Sequence, residues 1–99
     1  MKKIYICSPL RDNYALNITR AKWYCREVAK RGHIPIAPHV YCTQFLEDTD
    51  PEEREMGMEI GLNLLDICDE VWVFGYQLST GMKAEIERAA NKGIPVYYK

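Results

Sequence analysis

The sequence predicts one α/β domain of flavodoxin-like or Rossmann-like type over residues 1–99: three layers, four parallel strands in the order 2-1-3-4, and three helices. Three observations predict it. Short runs of strand formers alternate with helical stretches along the whole chain, as in parallel sheets closed by right-handed crossovers. Val71-Trp72-Val73-Phe74 is apolar throughout, as a strand covered on both faces must be. A chain of 99 residues, 47% hydrophobic and 27% charged, suits a single core that buries about two-thirds of the unfolded surface.

Lys3-Ile4-Tyr5-Ile6-Cys7 is the first strand, cut by Ser8-Pro9. From Asn13 to Arg31 the apolar residues Tyr14, Ile18, Ala21, Cys25 and Val28 recur at spacings of 4, 3, 4 and 3, one helical stripe, and Gly32 ends it. Ile34-Pro35-Ile36-Ala37 is a second short strand, where proline requires the strand start or a sheet edge. Pro38 to Thr49 has no sustained period and reads as a long loop. Asp50-Pro51-Glu52-Glu53 starts a helix: Asp50 caps, Pro51 takes the first turn and Glu53 closes a capping box. Met56, Ile60, Leu64 and Ile67 form its apolar stripe, and Gly57 and Gly61 lie on a neighbouring face that permits close packing. The third strand is Val71–Phe74. A third helix, capped by Ser79 or Thr80, runs to Lys92 and stops at Gly93, and Ile94 to Tyr98 is the last strand.

Thirteen basic residues against fourteen acidic ones leave a formal charge of −1, without the basic footprint of a nucleic-acid polymer binder. No apolar run is long enough for a membrane span, and Met1-Lys2-Lys3 before a strand is too short a start for a signal peptide. Cys7, Cys25, Cys42 and Cys68 are scattered without a C-x-x-C pair, so the sequence predicts reduced thiols in a cytoplasmic protein and no metal site. No strand is followed by G-x-G-x-x-G or a P-loop, and no cofactor is expected.

In a sheet of order 2-1-3-4 ligands bind beyond the carboxyl ends of strands one and three, where the winding reverses. Ser8–Asn13 and Gly75–Gly81 therefore face one crevice. Ser79, Thr80 and Gly81 at a helix start leave amides suited to a phosphate, and Arg11 can add a bidentate contact. The plainer alternative is that Ser79 and Thr80 only cap and Arg11 is solvated. Glu85 lies six residues after Ser79. Helical geometry can aim it inward, where the helix N-terminus would hold its carboxylate ionised, as a nucleophile needs. A solvated Glu in the early turns is the competing reading. His39, read as closing the second strand, is a candidate ligand contact, against an ordinary solvated or hydrogen-bonded loop histidine.

These residues resemble a family. Cys68-Asp69-Glu70-Val71-Trp72-Val73-Phe74-Gly75, then Ser79-x-Gly81-x-x-x-Glu85-Ile86 and Gly93-Ile94-Pro95-Val96, resemble the nucleoside 2-deoxyribosyltransferase-like superfamily. The opening Tyr5-Ile6-Cys7-Ser8-Pro9-Leu10-Arg11 is similar to that of the 2′-deoxynucleoside 5′-monophosphate N-glycosidases, and Pro38-His39-Val40 extends the likeness. The resemblance implies that Glu85 attacks C1′ of a deoxyribonucleoside, that Tyr5 orients it, and that Ser79 helps to hold a 5′-phosphate. It implies a small-molecule nucleotide or nucleoside as partner, and a homodimer or higher homo-oligomer. It breaks at one place. The glycosidases carry an aspartate eight residues before the Asp69 position, and here that residue is Gly61.

The expected function is therefore a nucleotide-binding protein that cleaves or exchanges an N-glycosidic bond. Glu85 and Tyr5 would do the chemistry, and Ser8, Arg11, His39, Ser79 and Gly81 would bind. A non-catalytic nucleotide or nucleotide-sugar module and a structural homo-oligomer are the alternatives. Asp69, at the opposite end of the sheet, reads as a turn or cap, and His33 as a turn residue. Glu52, Glu55, Glu59, Asn63 and Asp66 read as a solvated face. Trp23 points away from its helix's stripe, as a residue exposed for self-association would.

Overall fold

A computed structural model describes residues 1–99. The elements follow the order β1 (Lys3–Cys7), α1 (Tyr14–Lys30), β2 (Ile34–Ile36), α2 (Pro38–Cys42), α3 (Pro51–Asp66), β3 (Glu70–Val73), α4 (Thr80–Asn91) and β4 (Val96–Tyr98). The four strands form one sheet, β2-β1-β3-β4. All pairings are parallel, with Tyr5 opposite Ile36 and Val71, and Val71 opposite Val96. Pro35 lies on the edge strand β2, where its missing N–H breaks no ladder.

Alternation along the central strands divides the core between the two faces of the sheet. Tyr5, Cys7, Val71 and Val73 pack with Leu65, Cys68, Met82 and Ala89 under α3 and α4. Ile4, Ile6 and Trp72 pack with Val28 under α1. Glu70 is buried beside them but satisfied: it accepts from Trp72 Nε1 at 2.9 Å and pairs with Lys2 Nζ at 2.6 Å. Asp69 accepts from the Lys3 N–H at 2.7 Å, which makes it the cap expected at the far end of the sheet. Trp23 is 61% exposed.

The structure corrects the sequence reading at three points. There are four helices, not three. Pro38–Thr49, read as a loop, opens with the helix α2, whose first residue Pro38 arrives with φ already helical. At five residues α2 is too short to show a periodic stripe. The capping box also fails. Asp50 accepts from the Glu52 N–H at 3.0 Å, but Glu53 reaches back past the cap and accepts from the Glu47 N–H at 3.0 Å.

The third correction concerns which face of α3 is inside. Met56 and Ile67 are exposed, while Gly61 and Leu65 are buried. Backbone proximity outweighs side-chain hydrophobicity here. A Cβ on Gly61 would lie 3.2 Å from the Tyr5 hydroxyl and 3.8 Å from Pro38, so a side chain there fits only if the hydroxyl gives way by a few tenths of an ångström. The displaced apolar residues Met56, Ile60 and Leu64 line an open groove of about 660 Å³ with Tyr41 and Phe45. Total surface is 6297 Å², about 500 Å² above what the chain's mass predicts. No helix is long and apolar enough to cross a membrane.

The two helical glycines thus predict opposite responses. At Gly57 a Cβ meets only Leu46 Cδ1 at 3.7 Å, so Gly57→Ala should gain about 0.5–1 kcal/mol from helix propensity alone. Gly61→Ala should show no gain or a net loss, because the hydroxyl it meets is itself held. Paired thermal melts check this. Equal stabilisation by both substitutions would show that Gly61 is not a packing requirement.

Candidate active site

β1 and β3 end side by side, and the segments leaving them diverge around a cleft of about 1180 Å³. Its lining includes Ser8–Asp12 after β1, Tyr76–Glu85 around the start of α4, and residues of α2 and α3. The expected meeting of Ser8–Asn13 with Gly75–Gly81 is what the topology produces. Tyr5, Ser8, Arg11, His39, Ser79, Gly81 and Glu85 all line this one cavity.

Glu85 sits on the second turn of α4 and turns back toward the sheet, where the Tyr5 hydroxyl donates to its Oε2. Burial raises the Glu85 carboxyl from 4.5 to about 7, and the hydrogen bond from Tyr5 only partly opposes that rise. This corrects the sequence reading. Desolvation outweighs the helix N-terminus, and the group is poised between its two states near neutral pH. Burial, and then the neighbouring Glu85 charge, lift the Tyr5 phenol well above its ordinary range. Tyr5 therefore stays protonated and donates. Burial likewise pushes the Cys7 thiol up, so it remains uncharged below the pair.

Ser79 is the N-cap of α4, accepting from the Met82 N–H at 3.2 Å. The Met82 amide is therefore occupied, and those of Thr80 and Gly81 in the first turn are left for a ligand. A Cβ on Gly81 would find nothing nearer than Ser79 Oγ at 4.0 Å; its bareness keeps the approach to these amides open. Ser8 is 2% exposed, and its Oγ is a buried side-chain oxygen without a hydrogen-bond partner. Such a group costs about 1–3 kcal/mol unless something binds it. Arg11 is largely exposed, with Nε 3.6 Å from Asp48 Oδ2.

His39 differs from its expected place. It does not close a strand but lies in the first turn of α2, with Nε2 3.1 Å from the Ser8 carbonyl. A carbonyl only accepts, so Nε2 carries the proton, and burial lowers the ring's basicity. His39 pins α2 to the end of β1.

Asn17 is a site residue absent from the sequence reading. It is buried on α1, and its Nδ2 donates to the carbonyls of Leu10, Arg11 and Asp12 at 3.2, 2.7 and 2.9 Å. The loop it holds is strained: Asp12 and Asn13 are consecutive non-glycine residues with φ of 53° and 63°. The signal lay in the pattern, since Asn17 falls between Tyr14 and Ala21 at helical spacing, a polar residue on the buried stripe.

Comparison with known proteins places the molecule. A family model described as a domain of unknown function, DUF7768, matches residues 2–99. The chain belongs to the DUF7768 family. Among solved structures, this DUF7768 chain resembles a 2-deoxyribosyltransferase from the psychrotolerant bacterium Bacillus psychrosaccharolyticus, with a TM-score of 0.71 at 22% identity. That match covers 97% of this chain and 70% of the other. It also resembles a conserved protein from Enterococcus faecalis V583, with a TM-score of 0.70 at 19% identity, over 99% of this chain and 62% of that one. No curated protein matches the sequence. The DUF7768 fold is deoxyribosyltransferase-like, as the resemblance led us to expect.

Two measurements check this geometry. The folded chain holds the Glu85 proton more tightly than the unfolded chain, so raising the pH from about 4.5 toward 7 removes stability. Glu85→Gln should abolish that contribution, and its melting temperature should gain on wild type as pH rises from 5 to 8. Parallel curves would mean that the carboxyl ionises as it does in water. Asn17→Ala should cost about 1–3 kcal/mol and expose Leu10–Asn13 to proteolysis; an unchanged digestion pattern would refute its clamping role.

Proposed function

We propose that the chain binds a nucleoside 5′-monophosphate, most readily the 2′-deoxy form, and cleaves or exchanges its N-glycosidic bond through Glu85. The observation that carries this reading is the Tyr5–Glu85 pair, set against the cleft at the point where the sheet's winding reverses. The deoxyribosyltransferase-like fold supports it.

In this mechanism the 5′-phosphate docks on the free amides of Thr80 and Gly81, with Ser79, Ser8 and Arg11 around it. Tyr5 keeps its proton and fixes the Glu85 carboxylate, leaving an oxygen to attack C1′. The C1′–N bond breaks as the C1′–O bond forms, and its electron pair leaves with the base. The transition state is oxocarbenium-like, and the adjacent carboxylate offsets its charge. Without a 2′-hydroxyl the cation forms more easily. Water or a second base then takes the sugar from Glu85. His39, already committed to the Ser8 carbonyl, acts by holding the phosphate loop.

One observation favours a second reading. Gly61 stands where the glycosidases have their aspartate, and the Tyr5 hydroxyl and Pro38 fill the space around it. A nucleotide-binding module without catalysis would retain the same cleft.

Incubation with each deoxynucleoside monophosphate, with chromatography of the free base, decides between the two. The catalytic reading expects release that rises with pH through about 7, as Glu85 ionises, and a fall of at least about a hundredfold in Glu85→Gln. Ligand-induced melting shifts without base release would establish the binding module instead. Release surviving in Glu85→Ala would remove Glu85 from the chemistry.

A further inference from the structure

Three cations line the cleft: Arg11 and Lys83 are exposed, and the third is half-buried and unused by the reading above. Arg54, on the first turns of α3, is half-buried and lines the cavity. The ion pairs of the fold join Lys2 to Glu70, Lys3 to Asp69, Arg11 to Asp48, Arg31 to Glu27 and Arg88 to Asp66. Arg54 has no such partner. Besides Glu85, the half-buried carboxylates lining the same cavity are committed elsewhere, Asp48 to Arg11 and Glu53 to the Glu47 N–H.

Its position along α3 gives this half-buried cation a direction. Arg54 precedes Gly61 by seven residues, which is two helical turns and about 10.5 Å along the same side. Gly57 lies between them and also lines the cavity. One flank of the cleft is therefore a bare strip of helix, with the Tyr5–Glu85 pair at its inner end and a guanidinium at its outer end. With a phosphate on the Thr80 and Gly81 amides and a sugar at Glu85, this strip is a flank of the cleft open to the base.

The proton supply points the same way. The Tyr5 proton goes to Glu85 and the His39 Nε2 proton to the Ser8 carbonyl. Gly61 offers no acid. A base leaving with the electron pair of the C1′–N bond therefore receives no proton from these three residues and carries negative charge until water or another group of the cleft supplies one. A fixed positive charge at the outer end of the strip favours that departure.

We propose that Arg54 and the Gly57–Gly61 strip form a subsite for an anionic aglycone, a nucleobase bearing a carboxylate or comparable acidic group. The proposal rests on the nucleotide reading of the cleft and assigns the class of base within it.

Calorimetric titration of the intact chain with 2′-deoxyuridine 5′-monophosphate, its 5-carboxy and 6-carboxy derivatives, and 2-deoxyribose 5-phosphate separates the possibilities. We expect at least one carboxylated nucleotide to bind about tenfold tighter than the parent, as one charge-assisted contact allows. Arg54→Met should erase that advantage and leave the parent nucleotide's affinity unchanged, and Arg54→Lys should restore part of it. Equal binding of all three nucleotides overturns the subsite alone, as does an advantage that survives Arg54→Met. Weaker binding of 2-deoxyribose 5-phosphate by Arg54→Met would instead give Arg54 to the phosphate and refute the aglycone role. Binding of none of these ligands removes the nucleotide reading and the subsite together.

Discussion

The close approach of α3 to β1 at Gly61 is the constraint on which the cleft depends. Tyr5 is a large residue in the middle of a buried strand, and its hydroxyl needs both a partner and a space. Glu85 supplies the partner. Gly61 supplies the space, since any side chain there meets the hydroxyl at once. The phenol keeps its proton and the carboxyl beside it is raised, both chiefly because the pair is buried.

The remaining contacts keep the loops above this pair in place. Asn17 ties down the strained turn after β1, and His39 anchors α2 to the Ser8 carbonyl. On the other side Ser79 closes its own cap and fixes the start of α4. Each is a polar side chain spent on backbone groups, which positions the loops and leaves main-chain amides directed at the cavity. The unpartnered Ser8 Oγ shows the same cavity from within, since a buried hydroxyl without a partner is expensive in a finished core and useful in a binding site.

Much of this was legible in the sequence because the signals were local. The apolar run at Val71–Phe74 has no place except a central strand, and the alternation of elements then dictates parallel pairing. The convergence of Ser8–Asn13 with Gly75–Gly81 follows from strand order alone. The Asp50 and Ser79 caps were readable because a cap is a short-range bond between a side chain and a nearby amide. α2 escaped because a single turn has no period. The apolar stripe through Met56 and Ile67 was expected inside because hydrophobicity marks what gains from burial, whereas the close packing read at the glycine face is what the structure shows at Gly61.

By itself, then, the sequence determined the class of fold, the strand order and, through that order, the end of the sheet where the cleft opens, whereas Tyr5 was named only through a family resemblance. These depend on patterns repeated every two or three to four residues and on turn chemistry, both written in neighbouring positions. Tertiary structure alone decided the state of the Glu85 carboxyl, the committed role of His39, the clamp made by Asn17 and the isolation of Arg54. Those properties depend on how much water is excluded and which distant group fills a hydrogen bond, and neither quantity exists until the helices have closed onto the sheet.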